Sequence, residues 1–313
     1  MIFRTAQNQF SSPPCGLYRG KMDCAEVRPM RVGDLPGAES ASDAVFLDSD
    51  RRDLRVGEPE PEPRSEQAAK RWIDRMRYFL EVDPHGCWIA VDGEQVVGFA
   101  ISQNRERLWY LATYGVLPDR QGRGIGKRLL DAVLTHADGR QGIFSSSVHP
   151  GATRRYRLAG FSLHPQMRMI GTVDRSTLPA VTGLSEGSVD DFDWMDRLDR
   201  QLRGAGHGPD HRQLLNHHRL RVSRAADKRG YVYLDDRGRS ILLAAADHST
   251  AENLLWEALA SSGADTLVNR ITVANEWAVD VGLAAGLRIG QEGYIAVRGM
   301  PTPAPYLASG QFL

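Results

Sequence analysis

The segment Val116–Leu130, VLPDRQGRGIGKRLL, holds the residues whose types and spacing most directly predict chemistry. It has the pattern of a buried strand, a turn rich in glycine and arginine, and an amphipathic helix. A helix that begins in such a turn directs unpaired backbone N–H groups and the positive end of its dipole toward the turn. Glycines let a ligand approach the backbone closely. The segment therefore predicts a site for a phosphate or pyrophosphate.

Three kinds of phosphate-binding loop are alternatives for this turn. A Walker A loop requires Gly where this chain has Gln121, and Ser or Thr where it has Arg128. A Rossmann fingerprint that opens at Gly122 requires its third glycine at the position of Lys127. The third alternative is the Q/R-x-x-G-x-G/A loop, which holds the pyrophosphate of coenzyme A. The chain fills its three fixed positions with Gln121, Gly124 and Gly126.

This strand–loop–helix segment resembles the acetyl-CoA signature of the GNAT superfamily of N-acetyltransferases. A second match lies downstream, where many members carry Asn, Ala, Tyr and Gly-Phe at fixed spacings. Ala152, Tyr156 and the pair Gly160-Phe161 match this pattern, whereas His149 stands at the Asn position. His149 either replaces the amide as a hydrogen-bonding group or is a polar strand end. The alternative for the loop is an ordinary connection with chance glycines.

The resemblance implies which residues bind the coenzyme. The backbone of one strand is expected to hold the pantetheine, and the loop after it is expected to hold the pyrophosphate. In the family this strand carries a bulge, and a glycine suits such an irregular position, so we place the bulge at Gly115. The full expected set is Tyr114, Gly115, Val116, Gln121, Gly122, Arg123, Gly124, Ile125, Gly126, Lys127 and His149.

Acetyl transfer to an amine forms a tetrahedral intermediate, whose oxyanion needs hydrogen-bond donors. The leaving group is a thiolate, which a nearby phenol can protonate as a general acid. The family often places a tyrosine for this role at the position of Tyr156; the alternative is a packed aromatic side chain. The general base is not identified by the sequence, and a water relay is one alternative. The candidate side chains are Glu81, Asp83, His85, Glu106, Tyr110 and Tyr114.

Composition indicates a soluble globular chain, since 42% of the residues are hydrophobic and 25% are charged. The formal net charge of zero argues against a general attraction to nucleic acid or to membranes. We expect a cytoplasmic protein, because three scattered cysteines do not form a disulfide framework and the N-terminus lacks a signal-peptide pattern. Arginine greatly outnumbers lysine, which indicates a GC-rich genome of the kind found in actinobacteria.

A group of histidines invites comparison with metal sites. His207 and His211 are four residues apart, and His217 and His218 follow closely. The intervening glycines and proline indicate a loop rather than one helical face, and no cysteine accompanies the histidines. We therefore expect no metal site.

The chain contains an internal repeat. Residues 1–25 show no period and are interpreted as an extension, so that Met22 is an alternative start to Met1. Residues 26–172 form the predicted coenzyme-binding unit, and residues 180–313 repeat its element order β, α, β, β, β, α, β, α, β. The repeat has Asp247–Ala251 in place of the glycine-rich loop and Gly282 in place of Tyr156, so we interpret it as degenerate.

The predicted fold is therefore α/β, in the α+β sense of a mixed sheet. It consists of two tandem GNAT units whose central sheets are mostly antiparallel and flanked by helices. Tandem GNAT proteins with one active and one degenerate half are a known arrangement, and the chain resembles the actinobacterial kind. The second unit would line the acceptor cleft, brace the first unit or mediate dimerisation with a second copy of the chain.

The resemblance implies transfer of acetyl from acetyl-CoA to an amine of a small molecule or peptide by direct attack on the thioester. No metal, nucleic acid or membrane is expected to take part. The first alternative is a non-catalytic acyl-CoA-binding sensor or scaffold, and the second is an interaction protein whose loop binds nothing. Turnover distinguishes the enzyme from the sensor, and binding of coenzyme A distinguishes both from the interaction protein.

Overall fold

The computed structural model describes residues 25–54 and 59–313. The predicted extension, apart from Ala25, lies outside the described residues, as do the alternative start at Met22 and part of the charged loop before Arg64. No helix in these ranges is both long and apolar enough to span a membrane.

The described ranges form strands and helices in close agreement with the predicted element order. The strands are β1 (Glu26–Pro29), β2 (Cys87–Asp92), β3 (Gln95–Arg105), β4 (Leu108–Val116), β5 (Gln141–Ser146), β6 (Ser162–Thr172), β7 (Leu184–Glu186), β8 (Arg219–Ser223), β9 (Gly230–Leu234), β10 (Ser240–Ala245), β11 (Asp265–Ile271), β12 (Arg288–Arg298) and β13 (Tyr306–Leu307). The helices are α1 (Leu35–Asp53), α2 (Glu66–Val82), α3 (Ile125–Ala137), α4 (Pro150–Leu158), α5 (Phe192–Arg203), α6 (Asp210–His217), α7 (His248–Ser261) and α8 (Trp277–Ala284).

The strands assemble into two sheets. One sheet has eight strands in the order β1-β2-β3-β4-β5-β12-β6-β11, and the other has five in the order β13-β10-β9-β8-β7. Every described pairing is antiparallel except that of β4 with β5. The predicted mixed, mostly antiparallel architecture is confirmed.

The two sequence repeats exchange strands. β12 from the second repeat lies between β5 and β6 of the first, while β6 lies between β12 and β11 of the second. At this seam Ile295 pairs with Ser145 on one side and with His164 on the other. The exchange also reaches a helix, because Tyr294 Oη on β12 lies 2.7 Å from Thr153 Oγ1 on α4. The predicted units at residues 26–172 and 180–313 thus share one sheet.

β3 is the most deeply buried strand of the first repeat, since α1 and α3 both pack on it. α3 buries one apolar stripe through residues spaced by three and four, and its other side carries charged residues. The stripe consists of Ile125, Leu129, Leu130, Val133 and Ala137. This packing fixes the position of the N-terminal end of α3, which follows the glycine-rich turn next to β4.

A buried ion pair joins the two repeats. Asp210, at the start of α6, accepts hydrogen bonds at 2.6 and 2.9 Å from the guanidinium of Arg105 on β3. Its carboxylate also accepts the hydroxyls of Tyr78 at 2.6 Å and Tyr110 at 3.1 Å. The Asp210 side chain is fully buried and that of Arg105 nearly so. α6 was not predicted, and this contact gives its segment a structural role.

Candidate active site

β4 and β5 form a parallel pair that opens into a gap. Their register runs only from Leu108 opposite Gln141 to Tyr110 opposite Ile143, although β4 continues to Val116. Beyond this point the edge of β4 that faces β5 has no strand partner among the described residues. Such an edge presents backbone N–H and C=O groups to whatever enters the gap.

The irregularity of β4 lies at a different residue from the predicted one. Ser102 pairs with Leu111 and Ile101 with Thr113, so the extra residue of the bulge is Ala112. Gly115 pairs regularly with Phe99, and the predicted bulge at Gly115 is wrong. The physical reason for the glycine is close packing, because a Cβ at this position would lie 2.7 Å from Val45 Cγ1 on α1.

The direction of the β4 backbone groups follows from the next residue. Leu117 N–H donates to Val97 O on β3 at 3.0 Å. Because successive residues of a strand direct their backbone groups to opposite edges, Val116 presents its own N–H and C=O to the gap. The Gln121 side-chain amide donates to that carbonyl at 3.0 Å. The loop is thereby tied to the end of β4.

The turn before α3 has the geometry of an anion cradle. Gly122 and Gly124 adopt left-handed backbone conformations, with φ of +78° and +84°. A Cβ at either residue would meet no atom within 4 Å, so space is open beside the backbone. The first intrahelical bond runs from Arg128 N–H to Gly124 O at 3.2 Å, and no described side chain caps the helix. The N–H groups of the first three helical residues therefore have no intrahelical acceptor.

Gly126 allows a close approach between the loop and β4. A Cβ at this residue would lie 2.5 Å from Tyr114 Oη. Burial raises the pKa of Tyr114 to about 12, so its hydroxyl is protonated at neutral pH. Tyr114 thus contacts the start of α3 through its side chain, while its backbone lies on the open edge of β4.

His149 connects the loop to α4. Its Nε2 lies 3.2 Å from Gln121 Oε1, and its Nδ1 lies 3.4 Å from the backbone nitrogen of Ala152. A neutral ring with the proton on Nε2 satisfies both contacts, since Nε2–H donates and Nδ1 accepts. His149 therefore caps α4 and orients Gln121, a link between two motifs that their spacing in sequence did not predict.

The cations of the loop have different surroundings. Lys127 Nζ pairs with Asp131 at 2.6 Å on an exposed helix face, and Arg128 donates to Ala25 O at 2.8 Å. Arg123 donates to Asp119 O at 3.0 Å. Arg128 therefore holds the start of the first strand, which leaves Arg123 and Lys127 as the cations next to the turn.

Tyr156 lies on α4 between aromatic neighbours. Its ring centroid is 4.5 Å from that of Phe144 and 6.2 Å from that of Tyr114, and only 3% of the residue is exposed. Burial and then Tyr114 raise the pKa of Tyr156 well above its usual value, against a hydrogen bond with Ser146. The phenol is therefore protonated at physiological pH, as a proton donor must be.

Three of the general-base candidates are engaged in structural contacts. Glu106 forms an exposed ion pair with Arg200, and Tyr110 donates to buried Asp210. Asp83 contacts His136 Nε2 at 3.0 Å. None of these three lines the cavity described next.

A cavity of about 310 Å³ lies where the two repeats meet beside the β4 bulge. The first repeat contributes Ala112 and Thr113 of β4 together with residues of α1, α2 and the chain between these helices. The second repeat contributes residues of β10, β11 and the segment after β13. The cavity therefore adjoins the strand on which the family resemblance places the thioester.

The second repeat closes the equivalent features. Asp247 caps α7 by accepting the backbone N–H of Thr250 at 3.0 Å, so a carboxylate already occupies that helix end. β13 pairs with β10 on the edge that corresponds to the open edge of β4. A Cβ at Gly282 would lie 2.6 Å from Met169 Cγ of the exchanged strand β6. That the second repeat is degenerate stays a prediction.

His207 and His211 both contact Asp199, a partner that the sequence pattern did not predict. Asp199, His207 and His211 are buried, and their ligand-type atoms lie within 4.8 Å of one another. Asp199 Oδ2 is 2.7 Å from His207 Nδ1 and 3.1 Å from His211 Nε2. The second ring nitrogens face tyrosine hydroxyls. The three residues could hold an ion geometrically, but hydrogen bonds already account for their polar atoms.

Comparison with known proteins bears on the first repeat and on the whole fold. Residues 47–161 match the acetyltransferase (GNAT) family. Curated protein sequences yield no match. A proposed acetyltransferase from Pyrococcus horikoshii aligns over 95% of this chain and 98% of its own, with 17% identity and a TM-score of 0.71.

Two further solved structures have similar folds. A GCN5-related N-acetyltransferase from Kribbella flavida aligns over 88% of this chain and 71% of its own, with 15% identity and a TM-score of 0.57. A tandem GNAT protein from the clavulanic acid biosynthesis pathway aligns over 89% and 99%, with 16% identity and a TM-score of 0.52. At these identities the likeness shows the fold. Residues 47–161 of the chain thus match the acetyltransferase (GNAT) family, within a fold like that of a tandem GNAT protein.

Proposed function

We propose that the protein is an acetyl-CoA-dependent N-acetyltransferase in which the first repeat binds the coenzyme and the amine attacks the thioester directly. The observation that carries this proposal is the pair of features at the end of β4. The open edge of β4 suits the pantetheine, and the uncapped start of α3 with its two left-handed glycines suits the pyrophosphate.

The expected coenzyme-binding residues fit this ligand. The backbone groups of Tyr114 and Val116 would hold the pantetheine, whereas the same alternation directs those of Gly115 toward β3. The N–H groups of Ile125, Gly126 and Lys127 would face the pyrophosphate. The open space at Gly122 and Gly124 leaves room for phosphate oxygens. Arg123 would add charge, while Gln121 and His149 would hold the loop in place.

Tyr156 is proposed as the general acid. When bound, the acetyl thioester supplies the electrophilic carbonyl, and its departing sulfur needs a proton. The phenol of Tyr156 carries its proton at neutral pH, and its ring lies next to that of Tyr114, whose backbone is on the open edge of β4. Donation to the sulfur then assists breakage of the carbon–sulfur bond.

Replacement of this phenol tests the assignment. Tyr156→Phe should lower kcat by roughly 100-fold, because a positioned general acid contributes about 10²–10⁴-fold. The KM for acetyl-CoA should change little, since the ring remains. The measurement is release of thiol from acetyl-CoA with a panel of amines.

Tyr294→Phe is the matched control. It removes another tyrosine hydroxyl, which contacts Thr153 on the same helix, and should leave kcat within about threefold because its loss costs one ordinary hydrogen bond. An equal fall in both variants would assign the effect to α4 packing instead. Tight binding of coenzyme A by a wild-type protein that turns over no amine would favour the sensor alternative.

A further inference from the structure

The cavity between the repeats has an unusual charge. Four arginines contribute to its wall, and none of the described residues that line it is acidic. The four are Arg64, Arg75, Arg239 and Arg270. A wall of this kind favours an anion, because Coulomb attraction strengthens where water is partly excluded.

Two of these arginines are already neutralised within the protein. Arg64 Nη1 pairs with Glu39 at 2.6 Å, and Arg239 Nη2 pairs with Asp235 at 2.8 Å. Their charges are therefore largely offset before any ligand binds.

For the other two arginines, no ion pair joins the guanidinium to a carboxylate of the described residues, although the Glu292 carboxylate lies near Arg270 and favours its charge. Arg75 makes no hydrogen bond or ion pair with any described residue, while the Arg270 guanidinium donates at 3.0 Å to the neutral side chain of Asn269. Burial and then the nearby Arg64 lower the pKa of Arg75 to about 10, so it remains a cation at neutral pH. Both residues are half-buried. Cations that are partly removed from water are normally paired, so an anionic ligand would stabilise these two.

Arg270, which lies in the wall of the cavity, has a strained backbone conformation. Arg270 has a φ of +59°, which costs a non-glycine residue on the order of 1–2 kcal/mol. The β6–β11 register shifts around it, and its N–H donates to Glu292 Oε2 at 2.9 Å. Ser240 Oγ, also in the wall, is buried without a partner among the described residues. Among the described residues, the wall thus presents two guanidinium groups without an ion-pair partner and one hydroxyl without a hydrogen-bond partner.

We propose that the acetyl acceptor is a small amine that carries a carboxylate or phosphate group, and that Arg75 and Arg270 bind this group. This inference rests on the proposed function, since it places the amine beside the β4 bulge at Ala112 and Thr113. A guanidinium presents paired N–H donors that match either oxyanion. The volume of about 310 Å³ suits a small molecule, at the lower end of ligand sites.

Calorimetry with matched probes in the presence of coenzyme A tests the anion site. The carboxylate pair is β-alanine and propylamine, and the phosphate pair is phosphoethanolamine and ethanolamine. The expected result is that, within a pair, only the member with the carboxylate or phosphate group binds, and the pair that responds identifies the oxyanion. Equal binding of the amine that lacks the oxyanion, or no binding of either oxyanion-bearing probe at millimolar concentration, would overturn the proposal.

Variants locate the site. Arg75→Met and Arg270→Met should each weaken binding of the anionic probe by roughly 10-fold or more, as expected for a charge-assisted contact. Arg71→Met, on the exposed face of the same helix as Arg75, should leave it unchanged. Affinity for coenzyme A should be the same in all three variants. Unchanged probe binding in both cavity variants would contradict the assignment.

Turnover separates this proposal from the proposed function. Arg75-dependent binding of an anionic amine without acetyl transfer would refute the acceptor and the transfer reaction but leave an anion site. Acetylation of amines without a carboxylate or phosphate group, at a rate that neither variant changes, would support the transferase and refute the oxyanion-bearing acceptor. Arg75-dependent use of succinyl-CoA with an amine that lacks an oxyanion would place the anion on the acyl donor and would also refute the proposed acceptor.

Discussion

Gly124→Glu should weaken binding of coenzyme A by about 100-fold or more, equivalent to about 2.7 kcal/mol. The added side chain would extend from the N-cap of α3 into the open space beside the backbone. Its carboxylate would occupy the helix end that is proposed for the pyrophosphate and would repel it. Loss of the coenzyme-dependent rise in melting temperature is the measurement, because saturating ligand adds a few kcal/mol of stability.

The same chain offers a control at the other end of the same helix. Gly139 also has a left-handed φ, of +73°, and a Cβ there would also meet no atom within 4 Å. Gly139→Glu therefore introduces the same backbone strain and the same charge away from the loop, and coenzyme affinity should be retained. Normal binding by Gly124→Glu would show that the pyrophosphate lies elsewhere. Equal loss in both variants would point to instability of α3.

The secondary structure and the loop were predictable because their signals are local. The spacing of apolar residues from Ile125 to Ala137 predicts the buried stripe of α3, and glycines a few residues apart predict the loop. The bulge was misplaced because a glycine in a strand has more than one cause. At Gly115 the cause is the close approach of α1, which depends on residues seventy positions away.

The arrangement between the repeats was not predictable in the same way. β6 and β12 have the same length, so strand length does not tell which strand completes which half. β13 contains only two residues and was missed, yet it covers the edge of β10. The arginines of the cavity come from four separate stretches of the chain. Their convergence depends on the exchanged strands, which position the second repeat against β4.

Asp210→Asn should lower the free energy of unfolding by about 3–5 kcal/mol, the usual cost of breaking a buried ion pair from one side. The amide retains the shape but leaves the Arg105 guanidinium charged and uncompensated in a buried site. It also weakens the acceptor for the hydroxyls of Tyr78 and Tyr110. We expect a melting temperature lower by roughly 5–10 °C, measured by calorimetry or circular dichroism.

A second ion pair between the same two repeats provides the comparison. Arg200 and Glu106 are 2.8 Å apart but exposed, so Arg200→Ala should cost less than about 1 kcal/mol. Adding Arg105→Met to Asp210→Asn should recover part of the loss, because the unpaired charge is then gone. Equal losses of stability for Asp210→Asn and Arg200→Ala would mean that burial adds nothing to the contribution of the Arg105–Asp210 pair. A double variant less stable than Asp210→Asn alone would mean that Arg105 stabilises the contact between the repeats through packing rather than through its charge.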